Sequence, residues 1–448
     1  MNKEFADYFA SRGLSSAESE RKAELLNRTS NFLGSWVGAE SSTWVRCYVP
    51  GRIEVLGKHT DYAGGRSLLC AVERGICAMA APRHDHVIRI ADVIRRQECQ
   101  FVASPELDPQ SVNWAIYPKT VARRIARNFP GADCGMDMAF ASDLPRASGM
   151  SSSSALLIAT YVLLERFNQL RVRPEYLSNI RNLEDLATFL GCVENGQSFG
   201  AFQGDSGVGT FGGSEDHIAI LCSKAGELRQ YKFCPARFER AIPFAAEVVF
   251  AIAVSGVAAD KTGNAREKYN FASLAAQEIL KIWRAASGRN DATLFEAATH
   301  SVDAPDRIRE LLRNTKTSAY SSQALLDRFG QFHEESTRIV PGAAQALAAK
   351  DMEAFGQFVD QSQALAEQKL GNQIPQTIEL ASSARSLGAL AASAFGAGFG
   401  GSVWAVIASE QATSFLDRWQ NHYRQRFPID ADSSTFFISG AGPATFVF

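Results

Sequence analysis

The stretch Val49–Gly65 concentrates Arg, Lys, His, Asp and Tyr side chains within a few positions of one another, between glycines. It follows Trp44–Val49, whose alternating pattern is typical of a half-buried strand. Polar groups gathered where a strand runs into a turn must be solvated or paired. The stretch therefore indicates either an ordinary charged loop or a ligand-binding wall at a strand end.

Length and composition exclude several classes of protein. A chain of 448 residues is too long for one compact core, so two or three domains are expected. With 46% hydrophobic and 21% charged residues, the composition is that of a soluble globular protein. A formal net charge of -2 gives no electrostatic signature for nucleic acid or an anionic membrane.

No apolar run approaches the ~18 residues of a membrane span, and Met1–Phe5 lacks the features of a signal peptide. The eight cysteines form no C-x-x-C pair, which predicts buried free thiols in a reducing cytosol instead of disulfides or a zinc site. The sequence thus predicts a cytoplasmic protein that binds neither nucleic acid nor membrane.

A serine-rich loop, Asp143–Ser154, lies between a predicted strand at Asp137–Ala141 and a predicted buried helix at Ala155–Phe167. Free backbone N–H groups and the helix dipole make such a helix N-terminus a phosphate site, and hydroxyls add donors or a Mg²⁺ ligand. One serine would suffice as a helix cap, whereas four follow Gly149. Phosphate binding is therefore favoured, without a Walker A motif.

Two more glycine-rich segments carry candidate chemistry. Glu194 and the segment Gly207–His217 precede Ile218–Cys222, which its apolar run predicts to be a strand. Their carboxylates suit phosphoryl transfer, although adjacent Glu, Asp and His can equally form a solvated turn. Farther on, Gly388–Val406 reads as a small-residue helix end, a glycine loop and a strand. Because those glycines precede the strand, Rossmann-type dinucleotide binding is disfavoured.

Together these segments resemble the GHMP kinase superfamily and, within it, the galactokinase-like sugar kinases. Gly51–Gly65 is similar to the galactokinase signature G-R-[VI]-N-L-[IL]-G-E-H-T-D-Y-x-G-G. Pro145–Ser153 resembles the family's ATP motif P-x-x-x-G-L-S-S-S, and Gly396–Gly401 its third motif, G-[AG]-G-F-G-G. Weaker similarities at Trp114–Lys119 and Gly263–Arg266 extend the resemblance over nearly the whole chain.

The resemblance implies an α/β fold of two domains, the GHMP kinase fold, with the active site in the cleft between them. We expect a ribosomal-protein-S5-like domain over residues 1–238 and a ferredoxin-like domain over residues 239–448. The sequence pattern agrees, since strand patterns dominate up to about residue 235 and helical patterns dominate 265–392. Strands are predicted again at 402–408 and 435–448.

The resemblance also implies ATP and Mg²⁺ as cofactors, a small-molecule sugar as substrate, and phosphorylation of its anomeric hydroxyl. Asp216 falls at the family's catalytic Asp, with His217 where Gln is usual, and Arg52 matches the Arg supporting that base and the transferring phosphoryl. Glu194 matches the Mg²⁺ carboxylate, although the segment between Glu194 and Asp216 is longer than the family norm.

The remaining implied contacts fall into two groups. Those to the nucleotide come from the serine loop and the third motif, with Ser152 or Ser153 as the hydroxyl ligand of Mg²⁺: Gly149, Ser151, Ser152, Ser153, Ser154, Gly398 and Gly400. Those to the sugar come from the signature and later segments: Lys58, His59, Asp61, Gly213 and Tyr269.

Three of the departures from the family pattern bear most on the substrate. Lys58 replaces a Glu positioned toward the C6 hydroxyl of galactose, so a hexuronic acid such as galacturonate becomes a candidate substrate. The alternative is an internal salt bridge of Lys58 with Asp61 or Glu54. Gly263 stands where a sugar-contacting Tyr is usual, a wall that Tyr269 could supply, and Ser393 replaces an Arg before the third motif.

Two other functions stay open at this point. One is a non-catalytic sugar sensor on the same fold, and the other is a GHMP kinase for an alcohol such as mevalonate or homoserine. The exact sugar, its anomer, the nucleotide and the oligomeric state are not determined by the sequence, and a monomer is compatible with it.

Overall fold

The computed structural model describes residues 2–38, 42–111, 113–258, 264–315 and 317–448, with the backbone alone for residues 2 and 264–269. The described chain forms a nine-stranded and a four-stranded sheet, with helices packed on both. The strands are β1 Val45–Leu56, β2 Arg66–Pro82, β3 Val87–Asp92, β4 Gln97–Val102, β5 Met136–Ser142, β6 Glu227–Lys232, β7 Arg237–Pro243, β8 Val248–Val254, β9 Ala391–Phe395, β10 Ser402–Ala408, β11 Thr435–Ser439, β12 Ala441–Gly442 and β13 Phe446–Val447.

The helices of the described residues alternate with these strands in the first half and dominate the second half. They are α1 Asn2–Ser11, α2 Ser16–Val37, α3 Ile116–Asn128, α4 Ser152–Phe167, α5 Pro174–Asn179, α6 Leu183–Asn195, α7 Glu215–Cys222, α8 Asn264–Ser287, α9 Leu294–Thr299, α10 Ala304–Asn314, α11 Ser322–Glu334, α12 Val340–Ala348, α13 Met352–Leu365, α14 Pro375–Ser386, α15 Ala412–Arg426 and α16 Pro428–Ala431. Single π-helical turns, Glu335–Ile339 and Ala366–Leu370, follow α11 and α13.

The first sheet has the order β13-β1-β2-β5-β3-β4, with β6 and β12 also pairing with β2 and β7 pairing with β6. Along β1, side chains alternate between two cores, because successive residues of a strand face opposite sides. Cys47 and Val49 lie in the core that contains α3 and α4, whereas Tyr48 lies in the core beneath α1 and α2. β1 is therefore covered on both faces, which fixes the position of the polar residues at its end.

The second sheet, in the order β11-β8-β10-β9, is antiparallel throughout. One face packs on α14 and α15 through a separate core that includes Val403 and Trp419. The opposite face, including Phe250 and Trp404, belongs to the same core as the first sheet. The indole Nε1 of Trp404 donates to the backbone carbonyl of Glu54 over 3.2 Å, so the two sheets are fixed to each other beside β1.

Most of the predicted elements are confirmed, and the two-domain mixed helix and sheet fold is as expected. Two predictions of type are wrong. Ile218–Cys222 belongs to helix α7, and Ala391–Phe395 is strand β9 instead of a helix end. Both are short buried runs, and the pattern of a short apolar run does not distinguish a strand from a helix. In addition, β1 continues to Leu56, so Arg52 is a strand residue and not part of a turn.

The boundary at residues 238 and 239 stays a prediction. The sheets show that β7 and the C-terminal strands β12 and β13 belong to the first sheet, so the chain returns to it at its end. All eight cysteines are free, and Cys234 is exposed where a buried thiol was expected. Within the described residues, no helix is long and apolar enough to cross a membrane.

Candidate active site

The candidate active site is a cleft beside the end of β1, with a space of about 520 Å³ that is partly open to solvent. It joins segments that are far apart in the chain, because the first sheet, α6, α7 and the loop before β10 meet there. Its lining residues are Arg52, Glu54, His59, Asp61, Tyr62, Glu194, Asn195, Thr210, Gly212, Gly213, Glu215, Asp216, His217, Gly396 and Ala397. Of the predicted site residues, Arg52, His59, Asp61, Glu194, Gly213 and Asp216 are brought together.

An arginine and an aspartate meet at the centre of the cleft. Arg52 projects from β1, and its Nη2 lies 2.8 Å from Oδ1 of Asp216, which is in the first turn of α7. The Nη1 group of Arg52 also donates to the backbone carbonyl of Gly149, in the serine-rich loop. A planar guanidinium with several donors can hold both partners at once. Arg52 thus links the candidate base to the loop expected to bind phosphate.

The serine-rich loop ends in α4, which begins at Ser152. Ser151 precedes it in the left-handed conformation, with φ of 58°, and its buried hydroxyl has no hydrogen-bond partner among the described residues. Ser154, within the first turn, donates to Oε2 of Glu194 over 2.8 Å and lies 3.5 Å from Oδ2 of Asp216. The sequence placed the metal-ligand hydroxyl at Ser152 or Ser153, whereas the structure pairs Ser154 with Glu194.

Glu194 has a second neighbour in His217. The imidazole Nε2 of His217 lies 3.1 Å from Oε2 of Glu194, and both side chains are buried. His217 follows Asp216 on α7, at the position where the family has Gln. The pair therefore connects the carboxylate predicted to hold a metal with the helix that carries the candidate base.

The wall at the other end of the cleft is formed by His59, Asp61 and Gly213. His59 has φ of 57°, and its ring nitrogens lie 3.0 Å from the hydroxyl of Tyr62 and 3.2 Å from the carbonyl of Ala397. Oδ2 of Asp61 accepts a hydrogen bond from the backbone N–H of Glu215 over 3.1 Å. A Cβ at Gly213 would lie only 2.2 Å from that same oxygen, so only glycine fits there.

Helix α11 holds the backbone of this wall from behind. Nη2 of Arg328 donates to the carbonyl of His59 over 2.6 Å, and Nε2 of Gln331 donates to the carbonyl of Lys58 over 3.0 Å. Both helical side chains are buried. A non-glycine residue at positive φ is strained and persists only where its surroundings enforce it. Arg328 and Gln331 supply that restraint, and nothing in the sequence identified them.

The glycines of the third motif pack against other parts of the backbone. A Cβ at Gly396 would lie 2.7 Å from the carbonyl of Gly149, so this motif touches the serine-rich loop. A Cβ at Gly398 would lie 2.3 Å from the carbonyl of Asn372, and one at Gly400 would lie 2.7 Å from that of Val257. Gly398 and Gly400, predicted to contact the nucleotide, shape the loop from outside the cleft, and Gly396 with Ala397 lines it.

Lys58 does not line the cleft. Its side chain is fully buried, and Nζ donates to the hydroxyls of Ser393, over 2.8 Å, and Ser362, over 3.1 Å. The ammonium points into the C-terminal half, toward Ser362 and Ser393, and the contact of Lys58 with substrate stays a prediction. Within the described residues it forms no ion pair with Asp61 or Glu54 either. The two unusual residues Lys58 and Ser393 instead bind each other.

Two further carboxyl groups line the cleft beyond those singled out by sequence reasoning. Burial raises the pKa of Glu54 to about 7, with Arg52 and Lys58 opposing that rise. Burial, together with the carboxylates of Glu54 and Asp61, raises the pKa of Glu215 well above its ordinary value. Glu215 accepts a hydrogen bond from the hydroxyl of Ser67 over 2.7 Å. The sequence offered two signals for Glu54: its place two residues from Arg52 on the same face of β1, and its departure from the Asn of the signature.

The predicted sugar contact Tyr269 and the unusual Gly263 lie outside the residues whose side chains are described. Asn195, which sequence reasoning missed, lies at the end of α6 and organises the loop before α7. Its Oδ1 accepts from the backbone N–H of Gly212 over 3.0 Å, and its Nδ2 donates to the carbonyl of Gly213 over 3.1 Å. Asn195 therefore sets the position of the glycine that packs on Asp61.

Three family descriptions match parts of the chain. Residues 37–82 match the galactokinase galactose-binding signature, residues 117–192 the GHMP kinases N terminal domain, and residues 343–425 the GHMP kinases C terminal. The first of these contains β1 with His59 and Asp61 of the cleft wall, and the second contains the serine-rich loop with α4.

Whole-chain comparisons agree with these matches. The chain is 26% identical to a galactokinase of Roseiflexus sp. over 82% of its own length and 84% of that protein. It is 27% identical to a galactokinase of Chloroflexus aggregans over 82% and 85% of the two chains. The fold matches the crystal structure of Lactococcus lactis galactokinase complexed with galactose, with a TM-score of 0.75 and 20% identity over 93% and 98% of the chains. The chain therefore carries matches to both GHMP kinase domains and to the galactokinase galactose-binding signature, and it is similar to the galactokinase-like members of that superfamily.

Proposed function

We propose that this protein is an ATP-dependent sugar kinase that phosphorylates the anomeric hydroxyl of galactose or a galactose-related sugar. The observation that carries the proposal is the position of Arg52, which binds Asp216 on one side and the carbonyl of Gly149 on the other. A phosphoryl transfer enzyme must bring a hydroxyl acceptor and a triphosphate together, and here one guanidinium contacts both parts of the site.

In the proposed reaction, Asp216 accepts the proton of the anomeric hydroxyl as its oxygen forms a bond to the γ-phosphorus. The bond from that phosphorus to the β,γ-bridging oxygen breaks, and ADP leaves with the electron pair. Arg52 orients Asp216 and stabilises charge on the transferring group. The backbone N–H groups of the first turn of α4 and the hydroxyl of Ser151 are placed to bind the phosphates.

The residues present also fit a magnesium ion. Mg²⁺ in kinases binds one or two carboxylates and a hydroxyl and takes its other ligands from phosphates and water. Glu194 and Asp216 each place a carboxylate oxygen within 3.5 Å of the Ser154 hydroxyl, and Ser153 lies one residue earlier on the same turn. Within the described residues, no group of three His, Cys, Asp or Glu side chains could hold a metal unaided. The ion, when bound, would neutralise the triphosphate.

For the sugar itself, His59, Asp61 and the backbone at Gly213 form the wall opposite the phosphate loop. A hexuronic acid is disfavoured as substrate. Carboxyl groups line the cleft, and the ammonium of Lys58, which was to pair the acid, is bound by Ser362 and Ser393. No observation on the described residues specifically favours a non-catalytic sensor or an alcohol such as mevalonate.

A coupled assay of ADP formation tests this function directly. The purified protein, with ATP and Mg²⁺, would be given galactose, arabinose, fucose, galactosamine, glucuronate, galacturonate, mevalonate and homoserine in turn. We expect turnover of a galactose-type sugar, and a phosphorus NMR spectrum showing an anomeric phosphate coupled to H1. Turnover of mevalonate or homoserine alone, or a phosphate on another carbon, would overturn the proposal. Sugar binding without any ADP release would point to a sensor.

A further inference from the structure

Glu54 is an unusual residue in the cleft. It lies on β1 two positions after Arg52, so both side chains project from the same face of the strand. Its side chain lines the cleft although the residue is only 4% exposed. Its backbone is held by the 3.2 Å hydrogen bond from Trp404. The carboxyl group therefore has a fixed origin and little freedom to move into solvent.

One oxygen of this carboxyl group has nothing to bind. Oε1 of Glu54 is buried and has no hydrogen-bond partner among the described residues. A buried polar atom without a partner destabilises the fold, as does a carboxylate in a poorly solvated place. Residues that reduce stability in this way are found preferentially at functional sites. The unpartnered oxygen is thus a candidate contact for a bound molecule.

The charged neighbours of Glu54 are already occupied. Nζ of Lys58 binds the hydroxyls of Ser362 and Ser393, and Oε1 of Glu335 accepts from the backbone N–H of Gly57 and from Ser362, each over 2.9 Å. Those contacts form a hydrogen-bond network behind the strand end, in which Oε2 of Glu335 is also buried without a hydrogen-bond partner among the described residues. A purely structural role for Glu54 would require it to join this network, and within the described residues no ion pair connects Glu54 with Lys58.

The other groups around the cleft favour one kind of ligand. Among the described residues that line it, Arg52 is the one lysine or arginine, and five residues carry carboxyl groups: Glu54, Asp61, Glu194, Glu215 and Asp216. An ionised carboxylate only accepts hydrogen bonds, and since the pKa of Glu54 is about 7, above that pH Glu54 matches a hydroxyl or an ammonium and repels another anion. The chemistry of the site is thus suited to a hydrogen-bond donor on the substrate.

We propose that Glu54 selects the substrate: its unpartnered oxygen accepts a hydrogen bond from a hydroxyl or ammonium group of the sugar and excludes a sugar carboxylate. This rests on the proposed sugar kinase function, and it assigns to Glu54 the discrimination that the sequence had assigned to Lys58. Sites built to hydrogen-bond a substrate group discriminate strongly against analogues that cannot make the bond.

The test compares the wild-type protein with Glu54→Gln. Glutamine keeps the shape of the side chain but adds an N–H donor and removes the charge. Steady-state kinetics with galactose, galactosamine and galacturonate would give kcat and KM for each sugar. We expect wild type to favour galactose over galacturonate by about 100-fold or more in kcat/KM, and Glu54→Gln to reduce that ratio by about tenfold or more, mainly through KM.

The matched control is Glu335→Gln, which alters a buried carboxyl group of the neighbouring network that does not line the cleft. It should leave the galactose to galacturonate ratio unchanged. An equal effect of both variants on that ratio would make Glu54 structural and overturn the proposal. So would a wild-type preference for galacturonate, or a ratio that Glu54→Gln does not alter.

Calorimetric binding of the same three sugars separates this inference from the proposed function. Suppose that wild type turns over no sugar but binds galactose, and that Glu54→Gln binds galactose about tenfold more weakly. The kinase proposal then fails, and the role of Glu54 stands. If galactose is phosphorylated and Glu54→Gln binds all three sugars as wild type does, the role of Glu54 fails alone. Binding of none of the sugars by wild type refutes both. Thermal unfolding of each variant confirms that it is folded.

Discussion

The two ends of the cleft differ in how closely their residues match the family pattern. At the phosphate end, Arg52, Asp216 and Ser154 are the residue types expected of a phosphoryl transfer site, and each contacts another member of the set. At the sugar end, Lys58 replaces the signature Glu, and Ser393 replaces the Arg that usually precedes the third motif. These two side chains lie outside the cleft and bind each other. The comparison teaches that a sequence signature identifies reaction chemistry more securely than it identifies which side chain meets the substrate.

The largest effect is expected at the phosphate end. Asp216→Asn removes the proposed base while keeping an oxygen that Arg52 can bind, so kcat should fall by about 10²–10⁴-fold. Galactose binding measured by calorimetry should change little, because His59 and Asp61 remain. Asp205→Asn is the control, since Asp205 lies in the same region of chain but pairs with Arg123 outside the cleft. A kcat for Asp216→Asn within tenfold of wild type would show that the proton is accepted elsewhere.

The second effect tests whether Lys58 is structural. Lys58→Glu restores the signature residue but buries a carboxylate beside Glu54 and Glu335. The charges of Lys58 and Glu335 both influence the pKa of Glu54, so the three side chains lie close together. We expect a loss of about 3–5 kcal/mol in the free energy of unfolding, measured by urea titration.

Lys58→Met is the control for that experiment, because methionine is also unbranched and has a similar length but carries no charge. It should cost less stability than Lys58→Glu and leave the ratio of kcat/KM for galactose and galacturonate unchanged. If Lys58→Met instead abolishes turnover of an acidic sugar that wild type accepts, the ammonium reaches the substrate and the contrast between the two ends disappears.

The fold and the placement of the serine-rich loop before α4 were predictable because their signals are local. A strand, a serine loop and a buried helix follow one another in sequence, so the loop and the helix of Asp143–Phe167 were predicted correctly, while phosphate binding there stays a prediction. Other features depend on long-range contacts. Three contacts join residues that are more than 200 positions apart: Lys58 with Ser362, His59 with Arg328, and Gly149 with Gly396. Periodicity and spacing contain no information about such pairs.

The smallest effect concerns the stability cost of Glu54. Its folded pKa is about 7, whereas its ordinary value is 4.5, so the folded protein keeps a proton that the unfolded chain releases. Between those values stability falls as pH rises, and above about pH 7 the full cost is present. Glu54→Gln should therefore raise the free energy of unfolding by about 1–3 kcal/mol at pH 8 and by much less at pH 4.5.

Urea unfolding at both pH values would measure this difference, with Glu353→Gln as the control for loss of an exposed glutamate. The control should show a small change that does not grow with pH. If Glu54→Gln raises the free energy of unfolding equally at both pH values, then burial does not raise the pKa of Glu54 in the folded protein. If the free energy of unfolding rises only at high pH and Glu54→Gln also loses discrimination between galactose and galacturonate, then Glu54 contributes to selectivity while it reduces stability. Both ends of the cleft would then present a group whose partner is absent until substrate binds, Ser151 at the phosphate end and Glu54 at the sugar end, but only Glu54 would carry a cost in stability that grows with pH.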